Sequence, residues 1–332
     1  MEVSYIFSLY CIFSLSGCNL SERSCEAPAT VLSSESSCLR ELDLGNNDLQ
    51  DSGVKLLCVG LKKQNCRLEA LRLSGCLITD EGCVSLASAL SSNPSHLREL
   101  DLSYNHPGEL GVKLLSDGLK DPHWKLDSLR VDHGGEQWLK PGLRKYACEL
   151  ALDPNTANRN VFLSEDNRKA ATARETLPYP DHPDRFDFMY AVLCDNDLRG
   201  RCYWEVEREG WLSIGVTYRG IRRKGDDNEC RFGRNDKSWA LFASADLFSA
   251  WHNDRSETIY VPPSFLPTRV AVYLDWHAGT LSFYRITSGA LNHLHTFHST
   301  FTEPLYPGFG FRSGSTVSLS HSSEQERVSG NM

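Results

Sequence analysis

Twelve cysteines and a short run of histidines are the side chains of this sequence best suited to chemistry. No Cys-x-x-Cys spacing occurs, so zinc-ribbon, RING and thioredoxin-like sites lack their characteristic pair. His293 and His295 would share one face of a strand and could bind a metal, with His298 nearby, but no third ligand has a matching spacing. A structural or solvated role is favoured for these histidines, and no metal or cofactor is predicted.

The sequence also lacks the motifs that indicate catalysis. It contains no G-x-S-x-G, no H-E-x-x-H and no EF-hand loop. The segment GIRRKGDD at 220–227 has Asp226 and Asp227 at the two positions where a phosphate-binding loop requires lysine and a hydroxyl residue. A non-enzymatic protein is therefore predicted, and its cysteines are interpreted mainly as reduced, buried, small apolar residues.

Composition limits the class of partner. A chain of 332 residues suits two domains, and a hydrophobic content of 40% is enough to build their cores. Residues 1–148 carry 15 basic and 19 acidic side chains, and the rest carry 20 and 24, so each part is mildly acidic. Without a basic domain, nucleic-acid binding is not expected.

A 29-residue repeat organises the first part of the chain. The spacing L-x-x-L-x-L-x-x-N/C-x-L begins at Leu39 and recurs from Leu68, from Leu97 and, in a decayed copy, from Leu126. Apolar positions with helical spacing follow each strand-like half. This consensus and period predict an α/β leucine-rich-repeat solenoid of about four strand-helix units over residues 1–146.

Polar and small residues recur at fixed positions of the repeat. Asp51 and Asp80 precede the helical halves and are predicted to be the N-caps of those helices. The ninth position, where an inward side chain would satisfy backbone groups, alternates between cysteine and asparagine: Cys18, Asn47, Cys76 and Asn105.

Residues 3–15 form an apolar run that has two interpretations. It could be the core of a signal peptide, but no basic residue precedes it, and a membrane helix needs ~20 residues. Counting back 29 residues from Leu39 reaches Tyr10, so the run is in register with the repeats, and no membrane segment is predicted. Because no polar cap precedes Tyr5, we expect the repeat array to lack its N-terminal cap, which would leave that edge open to self-association.

The variable positions of the strand-like halves would form one face of the repeat sheet. At 29-residue steps, Asp43, Arg72, Asp101 and Arg130 would stack on neighbouring parallel strands about 4.8 Å apart. One interpretation is a charged, concave protein-binding surface. The favoured interpretation is a self-neutralising ladder of alternating charges that contributes little per pair.

After Gly142 the repeat ends and strand-like alternation begins. Runs at 202–207, 212–216 and 269–276 alternate apolar and polar residues, and the last is joined by a short HAG turn to TLSFYRI, which predicts a hairpin. Several short strands separated by Gly and Pro predict an all-β sandwich. Five tryptophans are the candidate core anchors: Trp204, Trp211, Trp239, Trp251 and Trp276.

Several blocks of this second part carry a family resemblance. CELALDPNTANRNVFLSED resembles a PRY segment, and four blocks resemble SPRY motifs in order and spacing: GRCYWEVE, LSIGVTY, VAVYLDWHAGTLSFY and PLYPGFG. With the repeats, the chain resembles the C-terminal part of NLR proteins (nucleotide-binding, leucine-rich-repeat receptors), in particular the group in bony fishes that ends in PRY–SPRY, also called B30.2. The resemblance implies a PRY–SPRY sandwich over residues 147–325, followed by a disordered tail over 326–332.

The same resemblance implies where partners bind. Such domains bind proteins through loops at one edge of the sandwich, and by motif that edge would include Arg185, Asp187, Trp211 and Arg285. The structural alternatives are a core position for Trp211 and a local salt bridge between Arg185 and Asp187. The mixed-charge segment 219–237 is interpreted either as a variable binding loop or as a solvated face.

Three functional interpretations remain open. The preferred one is a cytoplasmic, non-enzymatic recognition protein of the innate-immune NLR type, which binds protein partners and is the tail of a longer receptor. The second is a secreted leucine-rich-repeat binding protein with disulfides, which would use residues 1–16 as a leader. The third is a ribonuclease-inhibitor-like inhibitor, which is disfavoured because about four repeats form only a short arc.

Overall fold

The structure, a computed structural model, describes residues 11–18, 20–94, 96–244, 247–261 and 268–320. The chain divides into two compact units, Met1–Lys145 and Tyr146–Met332, next to the boundary that the sequence predicts between 146 and 147. The predicted disordered tail and the repeat positions Tyr5 and Tyr10 lie outside the described residues.

The first unit is a five-stranded parallel sheet whose strands follow one another in chain order. Its strands are β1 Cys11–Ser14, β2 Leu39–Asp43, β3 Ala70–Arg72, β4 Glu99–Asp101 and β5 Ser128–Arg130. Its helices are α1 Glu26–Ser33, α2 Gln50–Leu61, α3 Asp80–Ser92 and α4 Gly108–Gly118. Short 3₁₀ helices cover Glu22–Cys25, Glu136–Leu139 and Leu143–Tyr146.

The strand register reproduces the 29-residue spacing of the sequence. Leu42 pairs with Leu71, which in turn pairs with Leu100, and all three are fully buried. Phe13 pairs with Leu42 at the same spacing, so the described part of the N-terminal apolar run extends the repeat sheet as β1. Strand and helix alternate because the repeated leucines of both halves can be buried only against each other.

Two aspartates cap helices in a way that the sequence did not predict. The Asp51 carboxylate accepts hydrogen bonds from the backbone amides of Thr79 at 2.8 Å and Gly82 at 3.0 Å, and Asp80 accepts from Gly111 at 2.6 Å. Each carboxylate therefore caps the helix of the following repeat, and the prediction that each caps its own helix is wrong. The reason is tertiary: neighbouring helices lie side by side, with the start of one against the start of the next. A Cβ at Gly82 or Gly111 would meet these capping groups, which explains why glycine recurs there.

The second unit contains two antiparallel sheets. Strands β6 to β12 are Val161–Leu163, Lys169–Thr172, Ala191–Leu193, Arg201–Glu209, Leu212–Tyr218, Ser238–Ala243 and Phe248–His252. Strands β13 to β18 are Arg255–Ile259, Arg269–Asp275, Thr280–Thr287, Ala290–His298, Leu305–Phe311 and Thr316–Leu319. The six-stranded sheet has the order β13–β12–β11–β10–β17–β8, and the seven-stranded sheet has the order β16–β15–β14–β9–β18–β7–β6.

One continuous apolar core joins the two sheets, as the predicted sandwich requires. The predicted hairpin is present as β14 and β15. Trp204 and Trp239 lie in the core, whereas Trp211, Trp251 and Trp276 are only half-buried, so the prediction that all five tryptophans are core anchors is wrong. Within the described ranges, no helix is both long and apolar enough to cross a membrane.

The cysteines also differ in part from the expectation. Cys148 and Cys202 form a disulfide that ties the start of the sandwich unit to β9, and Cys38 is disulfide-bonded as well. Eight of the described cysteines are free thiols: Cys18 is exposed, and the other seven, which are buried, are Cys25, Cys58, Cys66, Cys76, Cys83, Cys194 and Cys230.

Candidate functional site: an aromatic cleft on the six-stranded sheet

A cleft of about 900 Å³ lies on the outer face of the six-stranded sheet. Side chains alternate along a strand, so Leu212 and Ile214 of β10 enter the sandwich core while Ser213 faces outward. Ser213 lies opposite Phe242 of β11 on one side and Gly310 of β17 on the other, and all three line the cleft. The sheet therefore supplies a floor that combines one aromatic ring with two small residues.

A row of aromatic rings starts in the cleft, which Trp211 and Phe242 line, and continues to Trp251 outside its lining. The ring centroids of Trp211 and Phe242 are 5.2 Å apart, and those of Phe242 and Trp251 are 5.5 Å apart. An arginine covers each outer ring: Arg312 lies 4.6 Å from the centroid of Trp211, and Arg234 lies 3.6 Å from that of Trp251. These cation–π contacts hold two guanidinium groups beside apolar surface.

The segment before β8 supplies one wall of the cleft. Phe188 is 60% exposed and Tyr190 is 36% exposed, although both have large apolar surfaces. Asp187 begins this wall, and its carboxylate accepts a hydrogen bond from the backbone amide of Gly225 at 2.9 Å. Exposed aromatic side chains that converge on a concave surface are typical of an interaction site.

A buried thiol completes the opposite wall. Cys230 lines the cleft but is almost inaccessible, and burial raises the pKa of its thiol. It is therefore a neutral, packed group and offers little nucleophilic character at neutral pH.

Arg185 does not have the exposed position that the sequence predicts. Its side chain is buried, and its guanidinium donates to the backbone carbonyls of Pro180 at 2.9 Å, Pro154 at 2.8 Å and Ala157 at 2.6 Å. The alternative, a salt bridge with Asp187, is not formed either. These carbonyl oxygens satisfy the donors of the buried guanidinium, so Arg185 holds the segment that carries Asp187 in place.

The remaining predicted edge residues separate. Asp187 and Trp211 both line the cleft, but Arg285 lies on β15 in the seven-stranded sheet and does not. Arg285 therefore does not share the cleft with Asp187 and Trp211, because the segment after SFY belongs to the other sheet. Whether any of these residues contacts a partner stays a prediction.

Sequence reasoning missed several residues of the cleft. The β11 sequence SWALFA alternates, with Trp239 and Leu241 in the core and Phe242 on the outer face, so period-two patterning could have identified Phe242. No comparable local signal marks Arg234 or Arg312. Their positions depend on which strands become neighbours.

The predicted charge ladder of the repeats is present in register. Asp43, Arg72, Asp101 and Arg130 lie opposite one another in sequence along β2 to β5. The close ion pairs, however, are diagonal: Arg72 contacts Glu41 at 3.1 Å and Glu99 at 2.9 Å. Arg130 and Asp101 approach only to 3.7 Å. This local neutralisation supports the interpretation as a solvated ladder, and a binding role for its members stays a prediction.

The histidine cluster shows no metal site. His293 contacts the hydroxyl of Thr296 at 2.7 Å, and His295 lies 3.6 Å from Glu257. Burial lowers the pKa of both imidazoles. Among the residues that the structure describes, no group of three His, Cys, Asp or Glu side chains could hold a metal ion.

Comparison with known families identifies the modules. Residues 150–198 match the SPRY-associated (PRY) domain, and residues 201–323 match the SPRY domain. Three segments, 35–58, 64–87 and 93–116, match the leucine-rich repeat. The chain thus carries leucine-rich repeats followed by PRY–SPRY, and these are protein-interaction modules rather than enzymes.

Similar proteins share the sandwich half. The beta subunit of stonustoxin from Synanceia horrida is 41% identical over 168 residues, which is 50% of this chain and 24% of that protein. Tripartite motif-containing protein 16 from Mus musculus is 38% identical over 168 residues, which is 50% of this chain and 30% of that protein. A solved stonustoxin structure matches with a TM-score of 0.50 and 38% identity over 53% of this chain and 29% of that one. The chain therefore spans about a quarter to a third of the length of these relatives.

Proposed function

We propose that this chain is a non-enzymatic protein-recognition module that binds a protein partner through the aromatic cleft of its PRY–SPRY sandwich. One observation carries the proposal: Trp211 and Phe242, whose ring centroids are 5.2 Å apart, line a cleft of about 900 Å³ together with Arg234 and Arg312. Tryptophan, tyrosine and arginine in such positions supply most of the binding energy in protein interfaces.

The repeats would add a second surface to this module. In the proposal they form a short solenoid whose concave face carries the charged ladder, and that face tunes selectivity rather than affinity because its charges neutralise one another. The chain would act in the cytoplasm, as part of an innate-immune protein of the NLR type. The order of repeats and PRY–SPRY in one chain supports this context.

A secreted binding protein is the second candidate, because one observation favours it. The Cys148–Cys202 disulfide would persist only in an oxidising compartment. Alkylation of intact cells before lysis, followed by peptide mapping, separates the two candidates. Alkylated Cys148 and Cys202 support the cytoplasmic proposal, and a recovered disulfide-linked peptide pair supports secretion.

Site-specific cross-linking of the full chain tests the cleft. A photoreactive phenylalanine analogue replaces Phe188 in the cleft wall or, as a matched control, Phe162 on β6 of the other sheet, which is 54% exposed. We expect position 188 to cross-link protein partners that position 162 does not, and we expect Trp211→Ala to abolish those products. Identical products from both positions, or products that survive Trp211→Ala, would refute binding through the cleft.

A further inference from the structure

The cleft has a charge opposite to that of the unit that contains it. Residues 146–332 carry 20 basic and 24 acidic side chains, yet the cleft is lined by Arg231, Arg234 and Arg312 against the single carboxylate of Asp187. A concentration of cations in an acidic domain attracts negative groups locally while the domain as a whole repels polyanions.

Two of the three arginines have no counter-charge among the residues that the structure describes. Arg234 is paired with Asp254 at 2.9 Å, and the Asp187 carboxylate is occupied by a backbone amide. Arg231 and Arg312 are exposed, and neither forms an ion pair with any residue in the described part of the chain. The Arg312 guanidinium carbon lies over the Trp211 ring, 4.6 Å from its centroid, and a cation–π contact leaves the N–H donors of the guanidinium available for an anion.

We propose that the cleft selects a short acidic protein segment in which a large apolar side chain is adjacent to aspartate or glutamate. The apolar side chain packs on the ring row at Phe242, and the neighbouring carboxylate pairs with Arg312 or Arg231. This inference rests on the proposed function and names the class of ligand for the same site. A basic segment would meet the three arginines and is disfavoured.

Single-stranded nucleic acid also combines anions with stacking groups, but it is the weaker candidate. A nucleic-acid strand carries a negative charge at every nucleotide, so the nucleotides on either side of the one in the cleft would lie over an acidic domain. A segment with one or two carboxylates places its charge only where the unpaired arginines lie.

Selection from a random peptide library on the immobilised full chain tests the inference. Peptides are selected in parallel on three proteins: the natural chain, the double variant Arg231→Gln/Arg312→Met, and the control Arg174→Gln. The control removes an exposed arginine outside the cleft. We expect the natural chain and the control to enrich peptides with Asp or Glu next to Trp, Phe or Leu. The double variant should lose that enrichment. A synthetic consensus peptide should bind about tenfold more tightly than its Asn/Gln counterpart, with a difference that shrinks in high salt.

Each result decides the question. Enrichment of neutral or basic peptides, acidic enrichment that survives the double variant, or no enrichment at all would overturn the inference. Displacement of the consensus peptide by oligothymidylate more readily than by free acidic peptide would favour nucleic acid and also overturn it. None of these results affects the cross-linking test at position 188, so failure of the ligand class and failure of the proposed function are distinguishable.

Discussion

Replacing Asn105 by alanine is expected to destabilise the repeat unit by about 4 kcal/mol. The Asn105 side chain is fully buried between two repeats. Its amide oxygen accepts from the backbone N–H groups of Cys76 at 2.9 Å and Ile78 at 3.0 Å. Its amide nitrogen donates to three carbonyl oxygens: Leu73 at 2.9 Å, Leu102 at 3.0 Å and Ser103 at 3.2 Å.

The magnitude follows from the groups that the substitution leaves unpaired. Alanine leaves two buried N–H donors without an acceptor, and each buried group without a partner costs about 1–3 kcal/mol. The carbonyl oxygens lose less, since an under-satisfied acceptor with two lone pairs is tolerated better than an unpaired N–H donor. Asn65→Ala is the matched control, because Asn65 is half-buried and donates one bond, to Ser33 at 2.9 Å, which makes its expected cost about 1 kcal/mol.

Urea unfolding followed by circular dichroism at 222 nm measures both variants. All four described α-helices lie within residues 26–118, so this signal reports the repeat unit selectively. Asn105→Cys, by analogy with Cys76 in the same repeat position, should fall between the two because Cys76 donates to Leu44 at 3.1 Å. A loss for Asn105→Ala no larger than that for Asn65→Ala would refute the reasoning.

Three further outcomes are expected. Asp275→Asn should lower the stability of the sandwich by about 3–5 kcal/mol, because it removes the carboxylate charge that lies 2.8 Å from the buried Arg201 guanidinium. Tryptophan fluorescence in denaturant measures the loss, and a value below about 1 kcal/mol would contradict this reasoning. Burial raises the pKa of the Cys83 thiol to about 12, whereas a thiol in the unfolded chain ionises near 8.5. The neutral thiol therefore contributes its full share to folding stability below about pH 8.5, and this share is lost as the pH rises toward 12. The free energy of unfolding should then fall by up to ~1.4 kcal/mol per pH unit above about pH 9, and it should fall more gently in Cys83→Ala. Equal slopes in the natural chain and the variant would contradict this prediction. Reductant should lower the stability of the sandwich by roughly 4 kcal/mol if the Cys148–Cys202 bond closes its 54-residue loop, and Cys148→Ser should abolish that response.

Local periodicity explains which parts of the fold were predictable. A 29-residue period places each leucine on the same side of its strand as its counterpart one repeat away, so Leu42, Leu71 and Leu100 could be assigned to the core without a structure. The alternation in β14 and β15 similarly identified a hairpin. These signals depend only on neighbours along the chain and on the geometry of one strand or helix.

Contacts between elements were less predictable. Asp51 was correctly identified as a capping residue, but which helix it caps depends on how adjacent repeats pack. Arg185 has the chemistry of a surface contact, yet three backbone carbonyls surround its guanidinium in the folded chain. A residue type indicates what a side chain can do, whereas burial determines which of those interactions it makes.

The amino-acid sequence by itself determined that this protein has leucine-rich repeats followed by a PRY–SPRY sandwich. The tertiary structure alone decided the composition of the cleft. Trp211 and Arg312 are about a hundred residues apart in the chain, and they stack because β10 and β17 are neighbours in the six-stranded sheet. Pairing between distant strands is governed by backbone hydrogen bonds and by burial of the whole inner face of the sheet. Neither of these produces a local sequence pattern in the residues of the outer face.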